Sequence, residues 1–139
     1  MLCRRSWEPL RGRLDERVIA DQTPTADEVA AWLTGGFEVF TATLDGELVG
    51  VIRTSFPTGT CFADRLAVAP ERAADGIGRA LAEHAIARAR RAGVTKVWVQ
   101  APSKLEELLQ LYRSLGFRES AHLRAHEWDE DVTLLELHL

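Results

Sequence analysis

The period of the apolar residues changes once, sharply, at Pro70 to Gly76, and that change narrows the folds open to the chain. Before it come three strand-like runs, residues 37–43, 47–55 and 61–69. The first two are joined by Leu44-Asp45-Gly46, and Asp-Gly between β-rich runs is a strong hairpin signal because both residues tolerate positive φ. Pro57 and Gly59 break the chain before the third run. After the change, Ile77, Leu81, Ala85, Ala89 and Ala92 recur at helical spacing until Gly93. Residues 94–100 then alternate as a strand about Val97 and Val99. Ser103-Lys104-Leu105-Glu106 has the form of a capping box. The helix it opens carries Leu105, Leu108, Leu109, Tyr112 and Leu115 on one face and stops at Gly116. Runs 117–128 and 132–139 flank an acidic turn and close as a hairpin. Upstream, Thr25 caps a helix over 25–33, with Glu28 three residues on, and Gly35 and Gly36 end it. Residues 1–20 are the least readable, with Val18, Ile19 and Ala20 reading as a short strand. The expected architecture is a mixed α/β domain around one sheet, spanning residues 1–139 as a single domain.

Composition narrows the partners. Apolar residues make up 46 per cent and charged residues 27 per cent, ordinary for a globular chain. With a formal charge of −4 and no long basic run, nothing points to nucleic acid. Arg88, Arg90 and Arg91 cluster at a helix end, where cations complement the dipole. Cys3 and Cys61 have no metal-ligand spacing, so no metal is expected. Two cysteines without an export signal read as reduced and cytoplasmic. No run is long enough to span a bilayer, so no membrane partner is expected either.

Chemistry concentrates at the period change. Leu66-Ala67-Val68-Ala69-Pro70 leads into Gly76-Ile77-Gly78-Arg79. A helix start leaves backbone N–H groups unpaired with about half a positive charge, and glycine admits an anion close to the backbone. That construction suits phosphate. Gly-x-Gly alone equally fits a tight strand–helix turn. A dinucleotide fingerprint is disfavoured because its third glycine falls at Leu81, and a Walker loop lacks its Gly-Lys-Ser/Thr.

Three segments together resemble the GNAT N-acetyltransferase superfamily. They are the strand Leu66-Ala67-Val68-Ala69-Pro70, the loop from Ala73 to Gly78, and Leu111-Tyr112-Arg113-Ser114-Leu115-Gly116-Phe117. The resemblance covers residues 37–139; residues 1–20 match the family's first strand and helix poorly. It implies a mostly antiparallel central sheet, splayed between its fourth and fifth strands and flanked by helices. It implies acetyl-CoA as donor, its pantetheine arm on the backbone of Leu66, Ala67 and Val68. The pyrophosphate would lie on the loop Ala73, Ala74, Asp75, Gly76, Ile77, Gly78 and Arg79. A primary amine of a small molecule, amino acid or peptide would attack the thioester directly. Tyr112 matches the family's general acid, and a phenol is protonated at neutral pH.

The base is less legible. Gln100 stands where some relatives carry a Glu, and an amide takes no proton. Asp64 shares strand parity with Leu66 and Val68 and is the first candidate. His122 and His126 near the last hairpin are others, while His84 reads as a packing residue. The loop also departs from the family pattern. Ala73 replaces a Gln or Arg, with Arg72 one place early, and Asp75 puts a negative charge beside the phosphates that Arg72 or Arg79 must offset. An acyl-CoA-binding or regulatory module without turnover is therefore the alternative reading. The turn Glu127-Trp128-Asp129-Glu130-Asp131 offers charge for a cationic acceptor, or is simply solvated. The resemblance also makes a homodimer through the last strands plausible.

Overall fold

The computed structural model describes residues 2–22 and 25–139, apart from the side chains of Ala73 and Ala74. In chain order these form α1 (Leu2–Trp7), α2 (Glu16–Gln22), α3 (Ala26–Thr34), β1 (Glu38–Leu44), β2 (Glu47–Ser55), β3 (Cys61–Val68), α4 (Ile77–Ala92), β4 (Lys96–Pro102), α5 (Glu106–Ser114), β5 (Arg118–Ala125) and β6 (Glu130–His138). The six strands make one sheet in the order β1-β2-β3-β4-β6-β5. All neighbours are antiparallel except β3 and β4.

Local signals set most of these elements. Asp45 and Gly46 both take positive φ (52° and 79°), giving the two-residue β1–β2 turn. Thr25 caps α3 by accepting the Glu28 N–H at 3.2 Å. Leu81, Ala82, Ala85, Ile86 and Ala89 form the buried stripe of α4. That stripe packs over Ile52, Val97, Val99 and Leu135, the centre of the core. The helix seats closely because Gly50 of β2 has no side chain. A Cβ there would lie 2.7 Å from Leu81 Cδ1 and 2.8 Å from Ile77 Cγ2.

Three local expectations fail, each for a physical reason. Val18, Ile19 and Ala20 lie in α2 rather than a strand. The Asp15 carboxylate accepts the Arg17 N–H at 2.9 Å, and Val18, Ile19 and Gln22 become the buried face of a helix. The Ser103–Glu106 capping box does not form. Ser103 instead shares a 2.8 Å hydroxyl contact with Thr133 of β6, and Leu105, 2% exposed, is drawn into the core before α5 begins. The strand expected at 94–100 lies at Lys96–Pro102, since the Thr95 backbone bonds Gly59 and Leu139 outside it.

Pairing of β3 with β4 is confined to Cys61–Val97 and Phe62–Trp98, where the two rings stack at 4.1 Å. Beyond Phe62 the strands part. This is the expected splay, here between the third and fourth strands because residues 2–22 form short helices and a turn and supply no strand ahead of β1. The Arg88, Arg90 and Arg91 cluster is structural: Arg88 clasps Glu38 and lies over Phe56, and the other two sit in the last turn of α4. No described helix is long and apolar enough to cross a membrane.

Gly50→Ala should lower unfolding stability by about 1–3 kcal/mol, because a packed core has no room for the extra methyl. Denaturant unfolding checks this, and an unchanged midpoint would contradict the seating of α4.

Candidate active site

A bulge sits on β3 just where it leaves β4. Val51 pairs with Ala67 and Arg53 with Asp64, so Ile52 faces two residues, Arg65 and Leu66. Arg65 takes φ 55°, a left-handed conformation that costs a side-chain-bearing residue about 1–2 kcal/mol. Two cavities open in the gap beside it.

The first is a groove of about 480 Å³ between the end of β3, the start of α4 and α5, lined among others by Leu66, Val68, Gly76, Gly78, Arg79 and Leu111. Residues Pro70–Asp75, including Ala73 and Ala74, form a 3-10 turn, and Gly76 takes φ 77° before α4 begins at Ile77. The first helical bond is Ala80 N–H to Gly76 C=O at 3.0 Å, so the amides of Ile77, Gly78 and Arg79 precede it. Gly78 has no positive φ, and a Cβ on it would meet protein atoms only at 3.6 Å or beyond. Neither backbone nor packing demands that glycine, and its lack of a side chain leaves the backbone here open to close approach. Asp75 is paired with Arg72 at 3.4 Å, while Arg79 is tied to Ser114 and Glu83. The offset to the Asp75 charge therefore comes from Arg72.

The outward backbone of β3 is already engaged. Ser6 Oγ accepts the Val68 N–H at 3.2 Å, and the Trp7 indole N–H donates to the Leu66 carbonyl at 3.1 Å. An extended ligand arm reaching these groups must displace the two α1 side chains. Ala67 is buried and pairs with Val51 of β2.

The second cavity, about 280 Å³, lies on the other side of Trp7, Leu66 and Leu108, which line both. It brings Tyr112, Asp64 and Gln100 together with Arg53, Arg65, Phe62, Glu127 and Trp128. Tyr112 is 3% exposed and packs on Phe117 at 5.3 Å. Burial, with the nearby Asp64 charge adding, pushes its phenol above the usual range. Asp64 takes a bidentate grip from Arg53 (2.8 and 2.5 Å) and a third bond from Arg65 at 3.4 Å. Arg53 itself is sandwiched over Trp32 and Phe37, 4.5 and 4.1 Å from the ring centroids.

The acidic turn is largely spoken for. Asp129 and Asp131 pair with Arg124, and buried Glu130 accepts the Asp15 N–H at 2.8 Å. Glu127 alone of the turn's carboxylates lines the cavity. The histidines stand apart. His122 contacts Thr133 and Glu119, His84 meets Phe40 edge-on at 4.7 Å, and neither they nor His126 line either cavity. Sequence reasoning missed Arg53, Arg65 and Gln22. The first two left a signal, as charges inside otherwise apolar strand runs; Gln22 left none.

The fold, the splay and the helix-start groove define an acyltransferase of the GNAT type. The chain belongs to the acetyltransferase (GNAT) family, whose model matches residues 5–117. It is 31% identical over 102 residues to the [ribosomal protein bS18]-alanine N-acetyltransferase of Escherichia coli strain K12, covering 70% of this chain and 69% of that one. The crystal structure of the ribosomal-protein-S18-alanine N-acetyltransferase from Escherichia coli superposes with a TM-score of 0.72 at 26% identity, over 84% of this chain and 78% of that one. A Bacillus subtilis acetyltransferase solved with CoA gives a TM-score of 0.70 at 25% identity, over 84% and 85%. The groove fits such a ligand: amides ahead of the first helical bond at one end, an unneeded side chain at Gly78, and apolar Leu66, Val68 and Leu111 along its length.

Tyr112 is the single tyrosine of the chain, so its ionisation can be read directly from tyrosinate absorbance. The raised phenol should stay protonated in the folded protein past pH 10, while the denatured chain titrates near the ordinary value of about 10. Its stabilising contribution is full below the unfolded value and falls away as pH climbs beyond it. Titration of the native protein near 10 would contradict the buried position.

Proposed function

We propose that the protein transfers an acetyl group from acetyl-CoA to a primary amine, by direct attack, at the meeting point of the two cavities. One observation carries this reading: Trp7, Leu66 and Leu108 line both the groove at the α4 start and the cavity holding Tyr112. A donor in one and an acceptor in the other would be in contact without leaving the protein.

When bound, acetyl-CoA supplies the thioester that the amine attacks. The residues of this chain do the rest. The amides of Ile77, Gly78 and Arg79 hold the pyrophosphate, with Arg72 masking the Asp75 charge. Tyr112 keeps its proton on Oη and gives it to the departing sulfur, and the proton that the attacking nitrogen sheds as the amide forms restores the phenol. Asp64, with both oxygens already gripped by Arg53, acts as a positioning anion that fixes the two arginines. Glu127, on the open side and without a cation among the described residues, takes the proton of an incoming ammonium. Trp7, Phe62 and Trp128 wall the cavity against water. The name of the curated relative, a ribosomal-protein alanine N-acetyltransferase, supports a peptide or protein amine as acceptor.

Tyr112→Phe should cut turnover by roughly 10²–10⁴-fold while the Kd for acetyl-CoA stays within about twofold. Glu127→Gln should lower kcat/KM at pH 7 and approach wild type above pH 9, where an α-amine of pKa about 8 is already free. Steady-state CoA release measures both. Unchanged turnover in Tyr112→Phe would remove it from the acid role, and a pH-independent deficit would remove Glu127 from proton transfer.

A further inference from the structure

Among the described residues, two buried side-chain atoms lack any hydrogen-bond partner: Gln22 Oε1 and Arg65 Nε. Buried polar atoms without partners are rare, and each costs about 1–3 kcal/mol. Both belong to residues that line the 280 Å³ cavity, on opposite supports: Gln22 ends α2, and Arg65 occupies the strained bulge of β3. Gln22 is 7% exposed. Arg65 is fixed by its other nitrogens, Nη2 on Asp21 at 3.1 Å and Nη1 on Asp64 at 3.4 Å, which leaves Nε as its one nitrogen without a partner. Asp21 in turn accepts the Trp128 indole N–H at 3.2 Å, so the last hairpin roofs the same space.

One spare acceptor and one spare donor call for a ligand that presents a donor and an acceptor in fixed relation. A secondary amide does this. A free carboxylate suits the cavity less well. Arg65 already sits between two carboxylates, and Asp21, Asp64 and Glu127 outnumber Arg53 and Arg65 around the space. We infer that Gln22 and Arg65 read the first peptide link of the acceptor. Gln22 Oε1 accepts the N–H of the second residue, and Arg65 Nε donates to the carbonyl oxygen of the first. The reactive amine, on the Cα of that first residue, then lies toward Tyr112. The acceptor is accordingly a peptide amino terminus, and a free amino acid lacks the N–H that Gln22 awaits. This rests on the acetyltransferase reading and adds the residues that select the acceptor.

The test compares kcat/KM for Ala-Ala amide with its ester analogue, in which oxygen replaces the N–H of the second residue. Wild type should favour the amide about five- to tenfold, the worth of one hydrogen bond. Gln22→Met, close in shape but without the acceptor, should show a ratio near one. Arg65→Lys should raise KM for the peptide with little change in kcat. Gln22→Met should also melt about 2–6 °C higher than wild type, because it removes a buried unpaired oxygen. Equal ratios in the two proteins, or a lower melting point, would overturn the assignment. Acetylation of simple amines but not of the peptide would overturn it while leaving the acetyltransferase reading intact. If no amine releases CoA, that reading fails and the inference falls with it.

Discussion

Two parallel strands that pair for only two residues leave the rest of their facing edges unpaired with each other, and both cavities of this protein open beside that gap. Buried N–H and C=O groups need acceptors and donors, so a parted sheet persists only if something else supplies them. Here α1 does so, through Ser6 and Trp7 on Val68 and Leu66. The stacked pair of Phe62 and Trp98 marks where pairing stops, and the bulge at Arg65 turns β3 away from β4 just beyond it. The same contacts that hold the gap open also occupy the edge that a pantetheine arm would use. A donor bound along that edge would compete with Ser6 and Trp7 for the same backbone groups.

Around the gap the charges form a single connected network. Asp64 binds Arg53 and Arg65, Arg65 binds Asp21, and Asp21 binds Trp128. Arg53 rests on Trp32 of α3 and on Phe37. This chain ties α2, α3, β2, β3 and the last hairpin to one point. Removing one member of a buried ion pair leaves the other uncompensated, so the network fixes the cavity's shape as well as its charge. Its cost is visible in the strained φ of Arg65 and the two unpartnered atoms.

Much of this was legible in the sequence. The Asp45-Gly46 turn, the Thr25 cap, the Gly93 and Gly116 stops and the change of period at Gly76 are local signals, and the fold obeys them. Tyr112 and Asp64 line one cavity, although the bulge at Arg65 and Leu66 breaks the simple alternation that linked Asp64 to Leu66 and Val68. What failed was decided by tertiary contact. Ser103 found Thr133 across the chain instead of capping its own helix, and Val18 and Ile19 were set by the face they bury. The bidentate hold of Arg53 on Asp64 depends on register between β2 and β3, shifted by a bulge that no local pattern announces. Gln22 was invisible for the same reason: a lone glutamine acquires meaning only from the cavity it lines.

The central claim is that the start of α4 holds the phosphates of the donor and thereby places its thioester beside Tyr112. Calorimetric titration with acetyl-CoA, run against S-acetyl-pantetheine, which lacks the pyrophosphate, tests it most directly. The account predicts one acetyl-CoA per chain, with the truncated donor weaker by roughly 30- to 100-fold, the scale of charge-assisted bonds at a helix start. A folded protein that binds neither, or that binds both equally, would contradict it.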